Sequence, residues 1–225
     1  MHKYLKAIFH ILKNYHLYSI PILLYETLFY FKHNNSVNKF KYLNNDSLSD
    51  SIPCPYFFLK RIKNFLNKSN INFICDLGSG YGKVLYFFGH INNYKIDGVE
   101  IEKEIYLEST SLNSNNINIF NENILEFNLK TKEYDLFIMN DPLKKNDDLL
   151  KLILKVKKIY KKCYIILINI DDEKIKTISN NLKLIESFTV SKNRNIFFCG
   201  IEWFKIFLVP PPRIELETYP YHGHV

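Results

Sequence analysis

Arginine is nearly absent from this 225-residue chain. Only Arg61, Arg194 and Arg213 occur, so the formal net charge of +7 rests almost wholly on scattered lysines. Nucleic-acid binders concentrate their basic groups in a patch or stripe, and nothing here does so, which argues against a nucleic-acid partner. Cysteine is also sparse. Cys54, Cys75, Cys163 and Cys199 show no pairwise metal-ligand spacing, and three of them lie in apolar, strand-like runs. They read as small buried residues in a reducing, cytoplasmic compartment, which excludes a disulfide frame and a zinc site; no metal ligands are assigned. A long apolar span is missing too. Residues 17–31 form the longest such stretch, but it is only fifteen residues long and contains Pro21 and Glu26. About 20 residues are needed to cross a bilayer. No small-residue cleavage site follows, which argues against a signal peptide.

What is present suits a folded domain with appendages: 47% of the residues are hydrophobic and 16% aromatic, ample for a core. Glycine numbers only seven, yet three fall at 78, 80 and 82. They sit between an apolar run at 71–75, short enough for one buried strand, and a helical pattern at 84–89. Glycine lets the backbone turn sharply and come close to a ligand, while a new helix offers unpaired N–H groups. The stretch therefore reads as a cofactor cradle. Spacing rejects two occupants. A dinucleotide fingerprint starting at Gly78 needs glycine where Lys83 stands. A phosphate loop ending at Gly82 and Lys83 would start on Leu77 and would lack its hydroxyl at Val84.

The remaining pattern, Asp76-x-Gly78-x-Gly80-x-Gly82, resembles the class I S-adenosylmethionine-dependent methyltransferases. The likeness continues in order along the chain. Residues 94–100 form a strand that ends on Glu100, eighteen residues after Gly82. A carboxylate there is placed to accept hydrogen bonds from two ribose hydroxyls, and the family's acidic ribose clamp carries over to it. Residues 118–127 are similar to the family's third-strand end, with Asn123 and Ile124 at the positions that frame the adenine, although Asp is commoner than Asn at the first. Residues 134–142 resemble the fourth strand and the loop facing the methyl group. The resemblance thus implies S-adenosylmethionine as cofactor, bound by Asp76, Gly78, Ser79, Gly80, Gly82, Glu100, Asn123, Ile124 and Asn140. Asn140 and Asp141 face the acceptor as candidate catalytic residues. Members acting on planar amino groups carry two prolines and an aromatic ring here. This chain has Asn140-Asp141-Pro142-Leu143, which speaks against a nucleobase. The cofactor half, residues 70–145, is most similar to the seven-strand protein-lysine methyltransferases. A protein lysine is the first expectation for the acceptor, with a small metabolite or lipid-linked group as the alternative. A non-catalytic binder on the same scaffold is the competing class.

The flanks complete the organisation. Leu5, Ile8, Phe9 and Leu12 recur at helical spacing opposite lysines, giving a basic amphipathic helix. The segment 1–33 reads as a pair of helices packed on the domain or over its substrate edge, and alternatively as a peripheral membrane anchor. Residues 34–52 read as a linker or flap. Tyr56 is either a lid over the cofactor or part of a rigid proline-led helix start. A helix over 147–160 is expected to turn Leu149, Leu150, Ile153, Leu154 and Val156 inward. A fifth strand, a helix and a closing strand pair follow. Strands alternating with helices imply an α/β fold: a doubly wound, mostly parallel seven-stranded sheet with one antiparallel edge strand and an N-terminal helical extension. The expected divisions are 1–52 for extension and linker, 53–208 for the methyltransferase domain, and 209–225 for a disordered tail that Pro210, Pro211 and Pro212 introduce.

Overall fold

In β4 (Leu136–Asn140) and β5 (Cys163–Ile170), successive side chains enter two different cores. Leu136, Ile138, Ile166 and Ile168 belong to one, while Phe137, Met139, Ile165 and Leu167 belong to the other. Side chains alternate across a strand, so unbroken apolar runs like these are stable only where both faces of the sheet are covered. The computed structural model, which describes residues 19–33, 36–43, 46–191 and 194–201, shows that cover.

The sheet has seven strands: β1 (Phe73–Leu77), β2 (Lys95–Val99), β3 (Ile117–Phe120), β4, β5, β6 (Lys183–Ser191) and β7 (Arg194–Ile201). Their order is β3-β2-β1-β4-β5-β7-β6. The first five pair in parallel, and β7 runs antiparallel at the far end, inserted between β5 and β6. The chain winds outward from β1 through β3 and then returns to β4 on the other side. The crevice between the carboxyl ends of β1 and β4 is therefore the switch point, where ligands bind in such sheets.

One face carries α1 (Ser19–Lys32), α2 (Tyr56–Leu66) and α3, a single helical turn at Lys83–Leu85 that continues as a π-helical segment over Tyr86–Ile91. The helix expected over 84–89 is thus present but wide-wound, with Tyr86, Phe87, Phe88 and Gly89 buried. Beyond β2 comes α4 (Lys103–Ser109). The opposite face carries α5 (Asn146–Ile159) and α6 (Asp172–Ile178). In α5, Asp147 and Asp148 open the helix and Lys157 and Lys158 close it, each complementing the helix dipole. Its buried stripe is Leu149, Leu152, Ile153 and Val156. Leu154, expected inward, is exposed. Positions 149, 152, 153 and 156 follow the helical period, and 154 falls a quarter-turn outside it.

The helix α1 is fastened to the domain by one carboxylate. Glu26 Oε1 accepts the N–H of Tyr56 (2.6 Å), and Oε2 accepts from Lys83 Nζ (2.6 Å). Tyr56 is fully buried, its ring stacked on Phe29 at 4.4 Å with Lys83 over it at 4.2 Å. It is therefore a core residue at the start of α2 and not a lid. All four cysteines are free and buried. The expected amphipathic helix before residue 19 and the tail from 209 lie outside the described residues.

Candidate active site

Strand β1 delivers Asp76 and Leu77 to the switch point, both buried. The chain then turns through three left-handed glycines, Gly78 (φ 87°), Gly80 (φ 54°) and Gly82 (φ 83°). A side chain at Gly78 would strike Pro142, with 2.6 Å from Cβ to Cβ, and one at Gly80 would lie 2.8 Å from Ser51 Oγ. Only glycine accommodates both the sign of φ and the close approach. Gly82 caps α3 and stands back from the cavity itself.

Hydrogen bonds staple this turn to the end of β2. Val99 O accepts from the N–H groups of Gly78 (2.9 Å) and Ser79 (3.0 Å). Glu100 Oε2 accepts from Gly80 N–H (2.8 Å), and Oε1 from Glu102 N–H (2.8 Å). A phosphate cradle needs such donors free and needs no carboxylates beside them. Here three donors are consumed and two acids line the space, so the physical chemistry rejects an anionic group independently of motif spacing.

Asp76 is 1% exposed and Glu100 7%. Neither oxygen of Asp76 has a hydrogen-bond partner among the described residues, and Ser79 Oγ has none either. Burial, and then the nearby charge of Glu100, push the Asp76 carboxyl up to about 8. Burial also raises Glu100, opposed by its backbone hydrogen bonds. An orphaned buried carboxyl is costly, and a cationic donor arriving from outside removes the cost.

The cavity around these groups holds about 810 Å³ of empty space, counted out to its open mouth. Asp76, Gly78, Ser79, Gly80 and Glu100 line one wall. Asn123 and Ile124 line another, where Asn123 Oδ1 accepts from Leu125 N–H (3.0 Å) and closes a turn. Asn140 and Asp141 complete it from the end of β4. Both are held firmly. Asn140 Nδ2 donates to Ile52 O (2.8 Å), and its Oδ1 accepts from Asn169 Nδ2 (2.8 Å). Asp141, at φ 43°, is ion-paired with the buried Lys174, whose Nζ also donates to Leu143 O (2.7 Å). The expected site residues are thus brought together, with Gly82 just behind them.

Sequence reasoning missed the cover. The segment read as a linker or flap contributes Ser49, Ser51 and Ile52 to the cavity. It is tied down by Ser49 N–H to Pro142 O (3.4 Å), by Lys144 N–H to Ser47 O (3.0 Å) and by paired bonds between Lys41 and Ser51. Lys39 and Lys41 reach Glu108 and Glu104 on α4. The proline-flanked stretch at 52–55 marks where it ends, but no local pattern marks what it covers.

No protein-family model and no curated protein matches the chain. Solved structures do. Magnesium protoporphyrin IX methyltransferase from Synechocystis PCC 6803, with bound S-adenosylmethionine, superposes with a TM-score of 0.54 at 14% identity, covering 64% of this chain and 78% of that one. N-methyltransferase NodS from Bradyrhizobium japonicum WM9 gives 0.51 at 10% identity, covering 63% and 94%. With a switch-point cavity, a triple-glycine turn and an acid at the tip of β2, this chain has the fold of the class I S-adenosylmethionine-dependent methyltransferases.

Proposed function

We propose that this protein binds S-adenosylmethionine in the switch-point cavity and transfers its methyl group to an amine acceptor. The observation that carries this reading is the unpartnered Asp76 carboxyl beside Glu100 in a cradle that only glycine can line. S-adenosylmethionine supplies a methyl group on a sulfonium cation, activated for in-line displacement. The chain's own part is to bind, align and exclude water. Asp76 and Ser79 receive the methionyl ammonium. Glu100 accepts from Gly80 through one oxygen and from Glu102 through the other, and its remaining acceptor capacity takes the ribose hydroxyls. Asn123 and Ile124 border the adenine. Gly80 keeps the floor open.

On the acceptor side, Asn140 and Asp141 orient the incoming nitrogen. Both are rigid, so they act by fixed position. Asn140 Oδ1 keeps a second lone pair beyond the bond from Asn169, and Asp141 presents a negative charge whose place Lys174 sets. Asp50, also on the cavity wall, adds a fourth acid, while the two lysines there, Lys39 and Lys83, are paired with Glu108 and Glu26. This acidic lining suits an amine better than a phosphate or carboxylate, and it supports the protein lysine that the resemblance implies.

The test is incubation of the purified protein with labelled methyl donor and host lysate, followed by sorting of the label. Label in protein, released as methyl-lysine on hydrolysis, is the expected result. Label in lipid or small molecules would replace the acceptor, and intact cofactor binding without transfer would leave a non-catalytic binder.

A further inference from the structure

The helix α1 is apolar on both faces: Ile22 enters the core with Leu23 and Phe29 packed against it. Its inward positions also include Glu26, whereas Ile20, Leu24, Leu28 and Phe31 are turned to solvent, at 71%, 61%, 66% and 82% exposure, with only Thr27 and Lys32 as exposed polar residues of the helix. At 100° per residue these four fall within one arc of about 80°. Surface helices of folded domains put their polar residues there. The arc is bordered by the exposed Lys32 and, past Tyr25, by Lys60, whose Nζ donates to Tyr25 OH (2.8 Å).

The described charges on this side of the domain are mostly basic. Helix α1 and the adjoining α2 together carry Lys32, Lys60, Arg61 and Lys63 and a single acid, Glu26. That acid is turned inward and neutralised by Lys83. An apolar stripe in a mostly basic setting complements an anionic lipid surface, where the stripe enters the acyl boundary and the lysines meet the headgroups. Fourteen residues span about 21 Å, too little to cross, and no helix among the described residues is long and apolar enough to do so. We infer that α1 docks the protein, lying flat, on an anionic membrane surface through Ile20, Leu24, Leu28 and Phe31. Val37 and Lys39, which follow α1, line the cavity, so docking holds its mouth close to the bilayer. The inference stands whether or not the cavity transfers methyl groups.

The test is flotation of the full chain with vesicles of phosphatidylcholine and phosphatidylserine, against vesicles of phosphatidylcholine alone. The wild type floats with the anionic vesicles, and raised salt weakens it. The variant L24Q/L28Q/F31S, altered only at exposed positions, loses at least about tenfold in partitioning while keeping its circular dichroism and melting temperature. Failure of the wild type to float overturns the inference, as does equal flotation of the variant. Light scattering that shows a dimer for the wild type and a monomer for the variant, with no flotation, would assign the face to a second copy and overturn it too.

Discussion

Asp76 is a carboxyl buried at the end of β1. It has no hydrogen-bond partner among the described residues, and burial together with the nearby Glu100 charge pushes its carboxyl from the ordinary 3.8 up to about 8. Folding therefore favours the protonated form. The sign follows: the stability this group allows is complete below 3.8 and is lost as pH rises toward about 8. Asp76→Asn keeps the shape and removes the titration. In the ligand-free protein the variant is expected to gain stability over the wild type as pH rises through that window, by up to about 1.4 kcal/mol per pH unit, and the gain levels off above it. Denaturant unfolding at several pH values measures this. A difference that does not change with pH would contradict the account of Asp76. Strain of this kind gathers at functional sites, which fits the ligand-binding role proposed for Asp76.

Among the elements, α1 and the cover over 46–54 show what distance along the chain does to legibility. Lys83 is buried, and Glu26, 57 positions earlier, supplies its counter-charge. Glu26→Ala leaves that ammonium uncompensated and frees the Tyr56 N–H, so it is expected to cost about 3 kcal/mol. Glu26→Gln, which still accepts from Tyr56, costs less. Equilibrium unfolding decides, and a Glu26→Ala protein as stable as the wild type would show that α1 is not fastened as described. By contrast, the clasp from Lys39 and Lys41 to α4 lies at the surface, where water screens each pair and it contributes little. The triple-glycine turn and Glu100 were legible because their chemistry is local: φ signs, spacing and a strand that ends on an acid. Glu26 in the sequence only shortened an apolar run. Tyr56 read equally well as a lid or as a helix start, because only tertiary packing put Phe29 on its ring. In α5 the sequence placed Leu149, Ile153 and Val156 correctly but took Leu154 inward and missed Leu152, since a run of Leu and Ile leaves the edge of the stripe undefined. The engagement of Asn140 by Asn169, and of Asp141 by Lys174, joins β4 to β5 and α6, and no spacing along the chain encodes it.

At the scale of the whole molecule, the order β3-β2-β1-β4-β5-β7-β6 opens one crevice between β1 and β4, and both walls of the cavity grow from it. The two cores hold the sheet between helices, so the crevice is rigid on three sides and closed on the fourth by the cover that Ser51 and Ile52 bring against the glycine turn. A space lined by Asp76 and Glu100, with its loop amides already committed, underlies the proposal that it takes a cation that also offers paired hydroxyls. The most direct measurement of that claim is titration calorimetry of S-adenosylmethionine into the wild type, Glu100→Ala and Gly80→Arg, each first checked for folding by circular dichroism. The wild type is expected to bind one equivalent. Glu100→Ala is expected to lose about 10- to 100-fold in affinity, the worth of one or two hydrogen bonds to a buried charge, and Gly80→Arg to show no binding. A wild type that binds nothing, or two variants that bind as tightly as it does, would contradict the account.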